Sequence, residues 1–209
     1  MVNPRASQAS AALAELLQCL PEGGRILVDN WPYLVVVGWP FVKENGKSGM
    51  QTRAVVWNGS LTIALDEQTH QVFIVHQERR GPNGIETTIE LPGGGIDSGA
   101  EPLQTAKSEL LEEAGVTGND EDWISLYPKE GVSPISGLVW TQQHAFLLLK
   151  GRIVGMPSGE DQILKVVTQP LSKLIEMDDK NEFDIDPLGG YGLRRAESWL
   201  RRNRPELLT

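Results

Sequence analysis

The sequence predicts an α/β or α+β sandwich, and three features carry that expectation. Short stretches rich in β-branched and aromatic residues follow one another between residues 25 and 90. A glycine-rich turn, Gly93-Gly94-Gly95, leads into a segment of helical periodicity, and two more helical patterns appear among the strands that follow. Strands packed around helices in this way form layers over a shared core.

Residues 7–20 carry Ala11, Leu13, Leu16, Leu17 and Leu20 at helical spacing, which predicts an N-terminal amphipathic helix closed by Pro21 and Gly23-Gly24. Cys19 falls within that pattern and reads as a packing residue. Residues 25–42 contain R-I-L-V-D-N-W and P-Y-L-V-V-V-G-W-P-F-V, the strands of a small N-terminal sheet, and a polar turn follows at residues 44–49. Residues 52–57, 61–65, 71–76 and 85–90 read as further strands, with Asn58-Gly59 and Asp66-Glu67 at turns. Pro102 suits a first helical position and Gly115 the residue just past a helix end, so a helix is expected over Pro102–Ala114. Beyond it, residues 123–127, 144–149 and 163–168 read as strands and residues 128–139 as a loop. Residues 170–175 start a helix, residues 178–187 form an exposed acidic loop, and residues 191–202 form a last helix with Arg194, Arg195, Arg201 and Arg202 away from its apolar side, a solvated face or, as the alternative, a surface for acidic partners.

Composition narrows the chemistry. The 209 residues can bury one good-sized core, and a formal charge of -9 argues against nonspecific nucleic-acid binding, which releases counterions through a basic surface. An anionic substrate then needs a metal ion or local arginines. Cys19 is the single cysteine, and no apolar run of membrane-spanning length or secretory signal is present, so the expectation is a cytoplasmic protein with no membrane partner. The histidines His70, His76 and His144 lack the spacing of a zinc site.

The predicted helix over Pro102–Ala114 carries the chemistry. Leu103, Ala106, Leu110 and Ala114 make one apolar stripe, while Glu109, Glu112 and Glu113 fall on another face as mutual neighbours. Carboxylates so placed repel one another unless a cation joins them, and their hard oxygens suit magnesium or manganese. An ordinary acidic, solvated helix face is the alternative reading.

Residues 91–116, L-P-G-G-G-I-D-S-G-A-E-P-L-Q-T-A-K-S-E-L-L-E-E-A-G-V, resemble the Nudix box, G-x5-E-x7-R-E-U-x-E-E-x-G-U with U a bulky aliphatic. Gly94 aligns with the first glycine, and Glu109-Leu110-Leu111-Glu112-Glu113-Ala114-Gly115-Val116 matches the end of the box without a break. Two positions depart: the first glutamate of the box falls on Ala100, with Glu101 one residue later, and the arginine falls on Ser108. The resemblance implies a mixed sheet between helices, an α/β/α sandwich, over residues 51–209, preceded by a helix and small antiparallel sheet over residues 1–50.

It also implies an activity: metal-dependent cleavage of the pyrophosphate bond of a nucleoside diphosphate linked to another group. On that mapping Glu109, Glu112 and Glu113, with the Gly93 carbonyl, would hold Mg2+ or Mn2+. The flanks, V-H-Q-E-R-R at residues 75–80 and E-L-P-G-G at residues 90–94, resemble the ADP-ribose pyrophosphatase branch. There Arg79 would contact a phosphate, Glu90 would stand at the mouth of the site, and Ser133-Pro134-Ile135-Ser136-Gly137 would shape the pocket. Glu160, with Asp161 beside it, would be the base or a metal ligand. Trp31 and Trp39 are candidates for stacking on the base, core packing and a dimer seam being their other uses, and the branch implies a homodimer. The two departures imply the alternative of a weakened Nudix domain that binds a nucleotide as a regulator.

Overall fold

The structure is a computed structural model, and it describes residues 14, 16–30, 34–81, 84–134, 136–158, 163–180 and 187–208. Most of the predicted N-terminal helix lies outside these residues, as do Trp31, Ile135, Glu160 and Asp161; residues 16–19 are helical, and Cys19 is exposed rather than packed.

The chain divides into two compact units. The first comprises Met1–Asn58, Asp97–Gly99 and Ser133–Gln142. It holds β1 (Arg25–Asn30), β2 (Leu34–Val42), β3 (Ser48–Val55) and, later in the chain, β10 (Val139–Trp140), in the order β1-β2-β3-β10. Pairing is antiparallel between β1, β2 and β3, and parallel between β3 and β10. Val35 and Val37 are buried on β2, and Trp39 stacks on Trp140 with ring centroids 5.4 Å apart.

The second unit comprises Gly59–Ile96, Ala100–Val132 and Gln143–Thr209. Its strands are β4 (Gly59–Asp66), β5 (Val72–Gly81), β6 (Gly84–Glu90), β7 (Gly93–Gly95), β8 (Val116–Thr117), β9 (Trp123–Ser125), β11 (Gln143–Ile153) and β12 (Ile163–Gln169). Its helices are α1 (Pro102–Ala114), α2 (Leu171–Asp179) and α3 (Pro187–Asn203). The strand order is β12-β5-β4-β11-β8, with β6 on β5, β7 on β4 and β9 on β11; β11 runs parallel to β4, so the sheet is mixed.

Alternation along the strands sorts two cores. Ala64, Phe73, Val75 and Leu148 face α1, where Leu110 and Ala114 meet them. Ile63, Leu65, Val72, Ile74, Leu147 and Leu149 face the other way, toward Leu171 and Leu174 of α2 and Leu193, Ala196 and Leu200 of α3. Strands covered on both faces read as continuous apolar runs, which is why V-F-I-V and F-L-L-L do not alternate in polarity. The unit is the expected α/β/α sandwich. No helix among the described residues is long and apolar enough to cross a membrane.

One split in the sheet positions the site. β4 and β5 pair beside their connecting turn, Leu65 opposite Val72, and then part. β6 continues the pairing on β5, from Val75 opposite Glu90 outward, while β7 continues it on β4, with Gly93 opposite Leu61. Leu91 and Pro92 cross the wedge between them, buried, and the Pro92 carbonyl accepts the Thr62 N–H at 2.8 Å.

Candidate active site at the glycine strand

The glycine run is a strand rather than the turn its composition predicts. None of Gly93, Gly94 and Gly95 has positive φ; what the strand needs from them is the missing side chain. A Cβ on Gly93 would lie 2.5 Å from the Ser60 carbonyl oxygen and 2.8 Å from Leu61 Cα. A Cβ on Gly94 would strike the Glu109 carboxylate. The run is therefore thin enough to let α1 lay its acids directly on the sheet.

α1 begins at Pro102, which needs no N–H partner in the first turn, and ends at Gly115 in the left-handed region at φ 65. Its apolar stripe is as expected except that Glu113 joins it, 6% exposed between Leu110 and Ala114. The Glu113 Oε2 accepts the Gly93 N–H at 2.9 Å. Burial pushes this carboxyl up to about 7; the charges of Glu109 and Glu90 add to the rise, and the Gly93 N–H and Arg79 oppose it. Glu109 is half-buried against Gly94, whereas Glu112 is exposed.

Glu90 ends β6 and makes the strongest local charge pair. Arg79 on β5 donates to it through both fork nitrogens, Nε to Oε1 at 2.9 Å and Nη2 to Oε2 at 2.7 Å, and the Thr88 hydroxyl also donates to Oε1. Partial burial works to raise the Glu90 carboxyl, but the Arg79 and Thr88 hydrogen bonds outweigh it and hold the group below its ordinary value. Arg79 thus faces a carboxylate in this structure, and its charge is felt at Glu113.

Of the residues singled out from sequence, the fold brings Arg79, Glu90, Gly93, Glu109 and Glu113 together at the split, with Glu112 on the next face of α1. Trp39 belongs to the other unit, where it stacks on Trp140, and Trp31 and Glu160 lie outside the described residues. Ala100 is exposed, and Lys107, beside Ser108, is engaged with Asp120 at 2.7 Å, away from the acids. Sequence reasoning gave no role to Thr88 or Gln77; the visible signal was T-T-I-E alternation, which puts Thr88 and Glu90 on one strand face.

The donor set fits a hard divalent cation chemically. It is all oxygen, and the Glu113 carboxyl, raised chiefly by burial and further by the charges of Glu109 and Glu90, would be relieved by a cation. Among the described residues no three His, Cys, Asp or Glu side chains already converge on one point.

The comparisons agree with this architecture. A family model described as the NUDIX domain matches residues 58–184, more than half of the chain. The chain belongs to the Nudix hydrolase family. A relative from Azorhizobium caulinodans described as an RNA pyrophosphohydrolase is 32% identical over 142 residues, covering 65% of this chain and 70% of its own. A solved structure described as an ADP compounds hydrolase superposes with a TM-score of 0.65 at 17% identity, covering 88% of this chain and 98% of its own, a likeness of fold.

Proposed function

We propose that the protein is a metal-dependent hydrolase of the pyrophosphate bond in ADP-ribose or a related nucleoside diphosphate sugar. The observation that carries this reading is the buried Glu113 carboxylate on the Gly93 N–H, with Glu109 on Gly94 and the Arg79–Glu90 pair at the end of the neighbouring strands. Glu109, Glu112 and Glu113, with the Gly93 carbonyl, would hold Mg2+ or Mn2+. A bound divalent ion neutralises charge on the phosphoryl oxygens and lowers the pKa of a bound water.

The chain's own residues do the rest. The Gly93 N–H fixes the Glu113 carboxylate; the missing side chain at Gly94 admits Glu109; and the Arg79 fork, matched in shape to a carboxylate, equally matches a phosphate that competes with Glu90 for it. Glu160 is kept as the base or a metal ligand on the resemblance to the ADP-ribose branch, and Trp31 and Trp39 as candidates for stacking on the nucleoside base. A cytoplasmic homodimer belongs to the same reading.

The relative acting on RNA and the structural neighbour acting on ADP compounds have phosphate-linked nucleotides in common as substrates. A formal charge of -9 favours the small substrate over a polyanion. A second reading, binding without turnover, is favoured by Ser108, which leaves no arginine on α1 beside the acids. The deciding experiment is turnover of ADP-ribose, GDP-mannose and a 5′-triphosphorylated RNA with Mg2+, with Mn2+ and with chelator. Chelator-sensitive cleavage of a nucleotide sugar that disappears in the Glu112→Gln, Glu113→Gln double variant supports the hydrolase; binding of ADP-ribose without cleavage supports the regulator.

A further inference from the structure

Gln77, on β5, is a buried polar side chain that takes no part in holding the carboxylates or the Arg79–Glu90 pair. It is 2% exposed, and its side-chain carbonyl oxygen has no hydrogen-bond partner among the described residues. A buried acceptor left unpaired loses its hydration and gains nothing in return, so native proteins rarely keep one without a reason.

Its place follows from the register. Alternate residues of a strand share a face, so Gln77 lies on the face of β5 that carries Val75 and Arg79, the side on which Val75 packs with Leu110 and Ala114 of α1. Directly paired residues also share a face: Glu90 stands opposite Val75, Thr88 opposite Gln77 and Glu86 opposite Arg79. Arg79 therefore reaches Glu90 across the Gln77–Thr88 pair. The amide is buried beneath the ion pair, at the edge of the carboxylate site.

Two neighbouring groups direct their donors elsewhere. The Thr88 hydroxyl is directed at Glu90 and at the Gln77 backbone carbonyl, and the Arg79 Nε and Nη2 are spent on Glu90. Glu90, Glu109 and Glu113, when ionised, are acceptors, as are the oxygens of a phosphate. With those carboxylates ionised, the donor for the orphan carbonyl comes with a ligand, and both water and a ribose bring an O–H.

We propose that Gln77 is a ligand-positioning residue, its side-chain carbonyl accepting a hydrogen bond from an O–H that the ligand brings. The donor is a water on the bound divalent cation or a hydroxyl of the nucleoside diphosphate compound; the inference rests on the functional reading above. In the free protein the acceptor contributes nothing, and on binding it fixes the orientation of the group that donates to it.

The test uses the full chain with Gln77→Met, which keeps the length and apolar bulk of the side chain and removes the acceptor. Thermal unfolding of the ligand-free proteins is followed by titration with Mn2+ alone and with ADP-ribose in chelator. The expected result is an unfolding temperature equal to or above that of wild type, with affinity weakened about fivefold in at least one titration, the worth of one neutral hydrogen bond. Weakening with Mn2+ alone identifies the donor as metal-bound water; weakening with ADP-ribose alone identifies a substrate hydroxyl. A lower unfolding temperature for Gln77→Met, or unchanged affinity in both titrations, overturns the proposal. A wild type that binds neither probe overturns the functional reading itself, whereas a wild type that cleaves ADP-ribose with Gln77→Met equal to it in both titrations overturns only this inference.

Discussion

Two adjacent glycines with the same backbone role carry opposite consequences. Gly93→Ala puts a methyl group against the Ser60 carbonyl and Leu61 Cα, backbone that cannot yield without breaking the β4–β7 pairing; the expected loss is about 2–3 kcal/mol, read by urea unfolding. Gly94→Ala meets only the Glu109 carboxylate, the end of a flexible side chain. That variant should keep its stability within about 1 kcal/mol of wild type and lose about ten- to a hundredfold in metal affinity or turnover, because Glu109 is pushed from its seat. Equal stability losses in the two variants would contradict the assignment. Asp66 offers a second residue-scale prediction, one with a pH signature. Its Oδ1 accepts the Gln68 N–H at 3.0 Å, the Thr69 N–H at 2.7 Å and the Thr69 O–H at 2.9 Å, closing the turn in which His70 adopts φ 58. Partial burial works to raise the Asp66 carboxyl, but these hydrogen bonds, with the charge of His70, hold it below the ordinary 3.8. The folded chain then binds fewer protons than the unfolded one, so the stabilisation is complete above the unfolded value and fades as pH falls through the lower folded value. Asp66→Ala should cost about 1 kcal/mol at pH 7, and the gap from wild type should close on acidification below 3.8, as unfolding at the two pH values measures. At this scale the sequence announced which residue types matter but not their partners: the Arg79–Glu90 pair spans a strand register, and the burial of Glu113 is a matter of how α1 rolls on the sheet.

Helix α1 shows why some elements were legible and others were not. Pro102 and Gly115 are local signals, and the helix runs between them as the sequence predicts. The last helix starts four residues before its predicted Tyr191, at Pro187, across glycines that weaken helix propensity but fit a close approach: a Cβ on Gly190 would lie 3.0 Å from Asp178 Oδ2. Its arginines are also less solvated than their spacing implies, since Arg194 pairs with Asp178 and Asp179, and Arg195 donates to the Leu126 carbonyl at 2.9 Å. Strand β7 was hidden because three glycines carry no strand propensity; the pairing with β4 imposes the conformation. The same helix supplies the element-scale prediction. Gly115 turns the chain at φ 65, its carbonyl accepts the Val154 N–H at 2.8 Å, and the Glu112 carbonyl accepts the Ser158 N–H at 2.8 Å, so the end of α1 is tied to the segment after β11. A Cβ on Gly115 would strike the Gly155 carbonyl. Left-handed backbone costs an alanine about 1–2 kcal/mol before any clash, so Gly115→Ala should lose at least about 2 kcal/mol. A change within about 0.5 kcal/mol in chemical denaturation would show that the turn relaxes freely and that the tie is not specific.

For the whole molecule, charge is the term that a ligand can move. The chain carries 28 acidic residues against 19 basic ones, and Glu90 of β6 meets Glu109 and Glu113 of α1 at one place. A divalent cation that binds the folded chain and not the unfolded one stabilises it by about 2.7 kcal/mol at a hundred times its Kd. For a chain of this length that is a rise of about 5–10 °C in Tm. Monovalent salt also relieves general repulsion, but it acts by screening over a Debye length of about 8 Å at physiological ionic strength and cannot bridge neighbouring carboxylates. MnCl2 or MgCl2 should therefore raise Tm well beyond NaCl at matched ionic strength, and chelator should reverse the rise. Glu113→Gln separates the two effects, because it removes one buried acid from the cluster and with it one ligand. In chelator the variant should unfold no earlier than wild type at pH 8, where the buried Glu113 carboxyl, with its value of about 7, is ionised at a cost to the fold. In MnCl2 it should fall behind, having lost the cation's contribution. Equal rises with MnCl2 and NaCl, or an undiminished MnCl2 response in Glu113→Gln, would mean that the acids of α1 hold no cation and that the metal-dependent reading of the site is wrong.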